Sequence, residues 1–396
     1  MSSNSDVSDL VRRVAGPLAV VGAGALAAVG GILAWNALEN AAVQKRLRKC
    51  ANKMIKVDGV EFNVKEQGQG EYTVVLDAGL GMSSACWTWV QEKVSKNTRV
   101  ISFDRPGLGC SPPKPGPWLR RVDGIVDDMH RVLSAIGAKE KLVLVGHSCS
   151  GMDCRLFCHR FPDQVVGMVL VDTAHEGQIK QAQGSSIYNT YPSAEATQEK
   201  LRRLSYLWKT GLMRMMFVAS SPWFRDASFR LPFLNLIKRA LDAVGRAAAD
   251  QVRSQIKMIG PHLPKSIYQR YVDETFNHHA MAAMVSEHGS QRESMEFMSG
   301  LDLMKPAVLG SRPLIVVSRD PFRGAGGRLY PNAKGDPGRE AMHEAFQRDQ
   351  AVLSLKSERR VIGGAGHGSL LFVEQDAEHT AKAILDVVRM LKNSPK

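Results

Sequence analysis

No Cys-x-x-Cys pair occurs among the six cysteines, Cys50, Cys86, Cys110, Cys149, Cys154 and Cys158, so the paired-thiol spacing of a zinc site is missing. Buried free thiols are the expectation for them. The phosphate-cradling pattern G-x-x-x-x-G-K-[ST] is absent as well, which removes the P-loop nucleotide-binding reading. No fixed-period repeat runs through the 396 residues. With 44% hydrophobic and 23% charged residues, the chain is not disordered or collagen-like and must bury a core. A uniform charge is also lacking. The net charge of +13 lies almost wholly in residues 1–56 (+5) and 195–260 (+7), and the near-neutral remainder excludes a general nucleic-acid binder.

One stretch lacks charge altogether: Val14 to Leu38, VAGPLAVVGAGALAAVGGILAWNAL. Its length suits a hydrocarbon core that takes about 20 helical residues. Because the small-residue cleavage site of a signal peptide is poorly formed after it, an uncleaved single-pass membrane anchor is expected, with residues 1–56 as anchor and basic linker. The larger Lys/Arg count on the C-terminal side favours a cytosolic domain, although Arg12 and Arg13 oppose that orientation.

Beyond residue 56, short apolar runs alternate with helical patterns, as in βαβ units. Tyr72–Ala78, Thr98–Phe103, Leu142–Gly146, Val165–Val171 and Pro313–Val317 read as central strands of a parallel sheet, with Glu61–Glu66 as an antiparallel lead-in and Arg360–Ile362 as a final strand. Helices are expected at Ser83–Glu92, Val122–Ile136, Met152–Phe161 and Ala377–Leu391. From about Gly177 to Lys305 no strand run appears, so an inserted helical subdomain is expected there. Within it, Leu201–Phe217 forms a basic amphipathic pattern with Arg202, Arg203, Lys209 and Arg214 off the apolar face. That pattern reads either as a solvated face or as a surface for anionic lipid.

The chemistry centres on Leu142–Gly151, LVLVGHSCSG. A strand ends at Gly146, Ser148 follows two residues later, and a helix begins at once, which is the context of a nucleophile elbow. Small residues at Gly146 and Ser150 suit a turn in which the flanking backbones come close.

With DAGLG (Asp77–Gly81), DRPGLGCS (Asp104–Ser111), VLVDTAHE (Val169–Glu176) and GAGHGS (Gly364–Ser369) in order around that elbow, the chain from about Val57 to Met390 resembles the α/β-hydrolases. The resemblance implies an α/β fold with a mostly parallel central sheet, preceded here by the N-terminal transmembrane helix. The core would be residues 57–176 and 306–396, and 177–305 a helical lid after the strand that follows the elbow. It further implies Ser148 as nucleophile, His367 as base, and backbone N–H donors from Leu80 and Cys149 as the oxyanion hole. Two aspartates compete for the acid: Asp172, the favoured one, and Asp320, with Glu176 a distant third. No cofactor or metal is implied. The expected function is a membrane-anchored serine hydrolase of a small hydrophobic ester, amide or lipid, without nucleic-acid partners. The alternative is a catalytically idle subunit or scaffold of the same fold. A serine at the elbow speaks against epoxide hydrolases and haloalkane dehalogenases, which use aspartate there.

Overall fold

The computed structural model describes residues 33–49, 51–114, 119–182, 262–275, 277–323, 327–329 and 336–393, together with residues 30, 31, 195, 196, 199, 203 and 259. The chain divides into two compact units, Met1–Lys45 with Arg203–Gln251, and Arg46–Arg202 with Val252–Lys396. Of the first, the described part is chiefly helical residues 33–45. The second holds an eight-stranded sheet: β1 (Lys53–Val57), β2 (Val60–Gln67), β3 (Thr73–Asp77), β4 (Arg99–Phe103), β5 (Leu142–His147), β6 (Val165–Val171), β7 (Leu314–Ser318) and β8 (Ser357–Val361).

The strands lie in the order β1-β2-β4-β3-β5-β6-β7-β8. β1–β2 and β2–β4 pair antiparallel, and every later neighbour is parallel. β3, β5 and β7 are buried along their whole length, as strands covered on both faces must be, which is why they read as unbroken Val/Ile/Leu runs. Helices α1 (Thr88–Val94), α2 (Val122–Ala135) and α3 (Ser150–Arg160) connect the first strands. In α2, Ile125, Val126, Met129, Val132 and Leu133 are buried at helical spacing, and the last four join the core against the sheet.

Between β6 and β7 the described residues form four helices and no strand: α4 (Gly177–Ala182), α5 (Lys265–Thr275), α6 (His278–Gly289) and α7 (Gln291–Leu301). The basic pattern of Leu201–Phe217 lies outside the described residues apart from Arg203. α8 (Pro337–Ala351), the single turn α9 (Ser369–Phe372) and α10 (Glu374–Lys392) complete the second half. α10 covers the opposite face of the sheet with Ala377, Ala381, Ile384 and Val387, its acidic first turn and basic last turn complementing the helix dipole. Cys86, Cys110, Cys149, Cys154 and Cys158 are free thiols.

Two readings are corrected. The single-pass anchor over Val14–Leu38 is not supported, because no helix among the described residues is long and apolar enough to cross a membrane. Residues 14–29 lie outside the described residues, and helical residues 33–49 carry Glu39, Lys45, Arg46, Arg48 and Lys49, too much charge for hydrocarbon. The cytosolic orientation inferred from flanking charge loses its basis with the anchor. Residues 53–56, assigned to a basic linker, instead belong to β1, turned onto β2 by Asp58-Gly59 with φ of 49° and 79°. That Asp-Gly pair is the usual residue choice for a two-residue hairpin turn.

Candidate active site

β5 delivers Ser148 into the left-handed region, φ 58°, and α3 starts two residues on. The tightness expected of this turn is measurable at its neighbours. A Cβ on Gly146 would lie 2.6 Å from the Ser150 carbonyl oxygen, and one on Gly151 would lie 2.4 Å from Thr173 Cβ. Ser150, at the second glycine position of the G-x-S-x-G pattern, ties the turn together: its Oγ accepts the His147 N–H at 2.8 Å and lies 2.9 Å from the Asp77 carbonyl, to which it can donate.

Asp172 stands at the end of β6, itself at φ 47° and buried. His367 Nδ1 lies 2.6 Å from its Oδ2. The carboxylate holds more partners than this one. His343 Nε2 is 2.8 Å from Oδ1, while the Arg319 N–H donates to Oδ1 at 3.0 Å and Arg319 Nη1 to Oδ2 at 3.0 Å. Burial alone would raise this carboxyl, but hydrogen bonds from His343 and His367, with the charges of His343 and Arg319, hold it well below the ordinary range.

Asp320 does not meet the histidine ring. Its Oδ1 accepts the Phe322 N–H at 2.9 Å and its Oδ2 the Gly364 N–H at 2.6 Å, so it fastens the loop that carries His367. Glu176 is paired with Arg155 at 2.6 Å. His147 packs its ring 4.5 Å from that of His367 and places Nε2 3.0 Å from the His367 carbonyl. Burial, reinforced by the neighbouring His367, drops its pKa to about 3, so it is a neutral prop.

A cavity of about 410 Å³ is lined by Leu80, Ser148, Cys149, Asp172, His343 and His367 among others. No hydrogen bond joins the Ser148 and His367 side chains among the described residues. Such pairs are commonly loose before substrate arrives. The Asp77–Gly81 loop runs close by: a Cβ on Gly79 would be 3.1 Å from Ser148 Cβ. Among the described residues no backbone acceptor takes the N–H of Leu80 or of Cys149. The Cys149 thiol is pushed up to about 12, chiefly by burial, so it stays protonated beside the nucleophile.

One described group places metal-type ligand atoms within 4.8 Å of one another: Asp104, Cys110 and Glu274. Its carboxylates are already engaged, Asp104 by Asn63, Ser84 and Cys110, and Glu274 by Ser83 and Arg270. It is a satisfied hydrogen-bond network that ties the middle of β2 and helix α5 to the loop after β4.

A sequence profile described as the alpha/beta hydrolase family matches residues 74–382. The chain belongs to that family. The chain is 24% identical over 172 residues to YbdG of Bacillus subtilis strain 168, spanning 43% of its own length and 50% of that protein. It is 28% identical over 112 residues to strigolactone esterase RMS3 of Pisum sativum, covering 28% of this chain and 42% of that one. The chain thus spans half or less of the length of the curated relatives it matches. An esterase from Thermogutta terrifontis superposes over 86% of this chain and 99% of its own, with a TM-score of 0.50 at 19% identity, a likeness of fold.

His343 and Arg319 leave no mark in the sequence. His343 sits in mid-helix in α8, with no glycine-rich flank to single it out, and Arg319 is one residue before Asp320. Both reach Asp172 only through tertiary structure.

Proposed function

We propose that this protein is a hydrolase that cleaves a small hydrophobic ester through an acyl-enzyme formed on Ser148, with His367 as base and Asp172 as the acid that orients it. The observation that carries the reading is the 2.6 Å contact between Asp172 Oδ2 and His367 Nδ1 in a cavity shared with Ser148. Ser148 Oγ attacks the carbonyl carbon while its proton passes to His367 Nε2. The oxyanion so formed takes hydrogen bonds from the N–H groups of Leu80 and Cys149, for which no backbone acceptor competes among the described residues. His367 then protonates the departing alcohol. A water, deprotonated by His367, attacks the acyl carbon, and His367 returns that proton to Ser148 Oγ as the acid leaves.

Region 177–305 acts as a lid in this reading, since Gln291 and Met295 of α7 line the same cavity and supply part of its wall. The walls are mixed. Leu80, Ala174 and Met295 offer apolar surface, whereas Gln178, Gln291 and His343 are polar, which suits a compact ester with one polar edge. The test is turnover of p-nitrophenyl esters of increasing chain length by the full chain and by Ser148→Ala. Activity in the parent that Ser148→Ala lacks supports the reading. A Ser148→Ala protein that keeps its activity overturns it, and a parent idle on every ester and unreactive to fluorophosphonates would favour the scaffold alternative.

A further inference from the structure

Arg105, in the DRPGLG loop after β4, is buried, and each of its five N–H donors has an acceptor. Nε donates to Glu287 Oε1 at 2.8 Å. Nη1 donates to the Ala78 carbonyl at 2.6 Å and to Asp77 Oδ1 at 3.0 Å. Nη2 donates to the Gly79 carbonyl at 2.7 Å and to Glu287 Oε2 at 3.0 Å. Two successive carbonyls of the Asp77–Gly81 loop are therefore pinned by one guanidinium.

The other half of the grip comes from α6, within region 177–305. Glu287 Oε2 accepts the Gly81 N–H at 2.8 Å. One turn earlier on the same helix, Met284 fills the space beside Gly81 so closely that a Cβ there would come 2.4 Å from its Cγ. Gly81 itself is left-handed, φ 67°. Ala78 and Gly79 are thus fixed through their carbonyls and Gly81 through its amide, and Leu80, the residue between them, keeps an N–H that no backbone acceptor takes among the described residues. A peptide plane is rigid, so fixing the planes on both sides of Leu80 sets the direction of its N–H.

We infer that Glu287 is a positioning residue for the oxyanion hole, through which helix α6 of the inserted region, clamped to Arg105, aims the Leu80 N–H at the reacting carbonyl. The inference rests on the acyl-enzyme reading above. Its consequence is that the inserted region does more than wall the cavity: displacement of α6 would release Gly81 and Arg105 together and leave the hole unformed. Burial opposes the ionised form of Glu287, but the adjoining Arg105 and Arg120 guanidiniums hold its pKa below the ordinary value, so the clamp is charged at neutral pH.

Two variants separate reach from charge. Glu287→Asp keeps the carboxylate that neutralises Arg105, but its shorter side chain cannot span both Arg105 and Gly81. Glu287→Gln keeps the reach and lacks the charge. Each would be assayed as the full chain with a p-nitrophenyl ester, with active sites titrated by a fluorophosphonate so that kcat refers to folded enzyme. Removal of one oxyanion donor costs about 10²- to 10³-fold in kcat, so misaiming one should cost Glu287→Asp about 10- to 100-fold. KM should stay within about threefold, and affinity for a trifluoromethyl ketone should fall in step with kcat, because that adduct carries the same oxyanion. Glu287→Gln should recover part of the loss. A merely structural Glu287 would lower the yield of titratable sites and leave kcat per site unchanged. Unchanged kcat per site in both variants, or equal loss for substrate and ketone binding, would overturn the inference. Full activity in Ser148→Ala would instead sink the acyl-enzyme reading beneath it.

Discussion

Asp172 carries the sharpest residue-level expectation, because two imidazoles and one arginine converge on its two oxygens. An amide in its place cannot accept on both sides, and in a serine-protease triad the equivalent change costs about 10⁴ in kcat. Asp172→Asn should therefore approach that loss, whereas Asp320→Asn should lower kcat by less than about tenfold, since it disturbs only the tether to Gly364. Steady-state turnover of one ester by the two variants checks the ranking, and the reverse order would move the acid to Asp320. His147 gives a pH-dependent expectation. Its imidazole titrates near 6.5 when unfolded and is lowered to about 3 in the fold, so the folded state binds fewer protons. That stability is fully present above about pH 6.5 and is lost as pH falls toward 3, the loss reaching about 2 kcal/mol at pH 5. Urea unfolding at pH 7 and pH 5 should show His147→Asn losing about 2 kcal/mol less over that interval than the parent. An unchanged pH slope would mean that His147 is charged when folded.

At the scale of elements, the elbow and the inserted helices make opposite predictions about glycine. Gly151 opens α3 against Thr173, and a methyl group there has no room. Gly151→Ala should cost about 1–3 kcal/mol by overpacking. Gly300, near the end of α7, has nothing within 4 Å of where a Cβ would stand, and Gly300→Ala should gain about 0.5–1 kcal/mol from helix propensity alone. Thermal melts of the two proteins should move in opposite directions, and a stable Gly151→Ala would show that the elbow can relax. The strands of the parallel sheet are legible in the sequence within a residue or two because burial on both faces demands unbroken aliphatic runs, and Val165–Val171 falls where its run does. β1 is not legible. Its Lys53-Met-Ile-Lys-Val pattern is an edge strand with no fully buried side chain, and the neighbouring lysines draw it into the basic stretch. The final strand, expected at Arg360–Ile362, lies at Ser357–Val361, because its Ser-Glu-Arg-Arg opening is polar and stands at the other sheet edge.

For the molecule as a whole, what can be read from the sequence is whatever chemistry is written in contiguous residues. The elbow, the GAGHGS loop and the Asp77–Gly81 turn are such blocks, and their glycines mark them. The support around them is assembled from residues far apart in the chain. Asp172 to His343 spans 171 positions and Arg105 to Glu287 spans 182, and neither pair leaves a local pattern. The uncharged stretch at Val14–Leu38 is the opposite case, a strong local pattern that the described residues do not support as a membrane span. Fold and family are those of an α/β-hydrolase, and the remaining claim is that Ser148 is the activated nucleophile. The most direct measurement is fluorophosphonate labelling of the full chain, read by intact mass and peptide mapping alongside loss of ester turnover. The account predicts one adduct per chain, on Ser148, with activity falling in proportion to its formation and no adduct on Ser148→Ala. An adduct on another residue, or full turnover by protein labelled at Ser148, would contradict it.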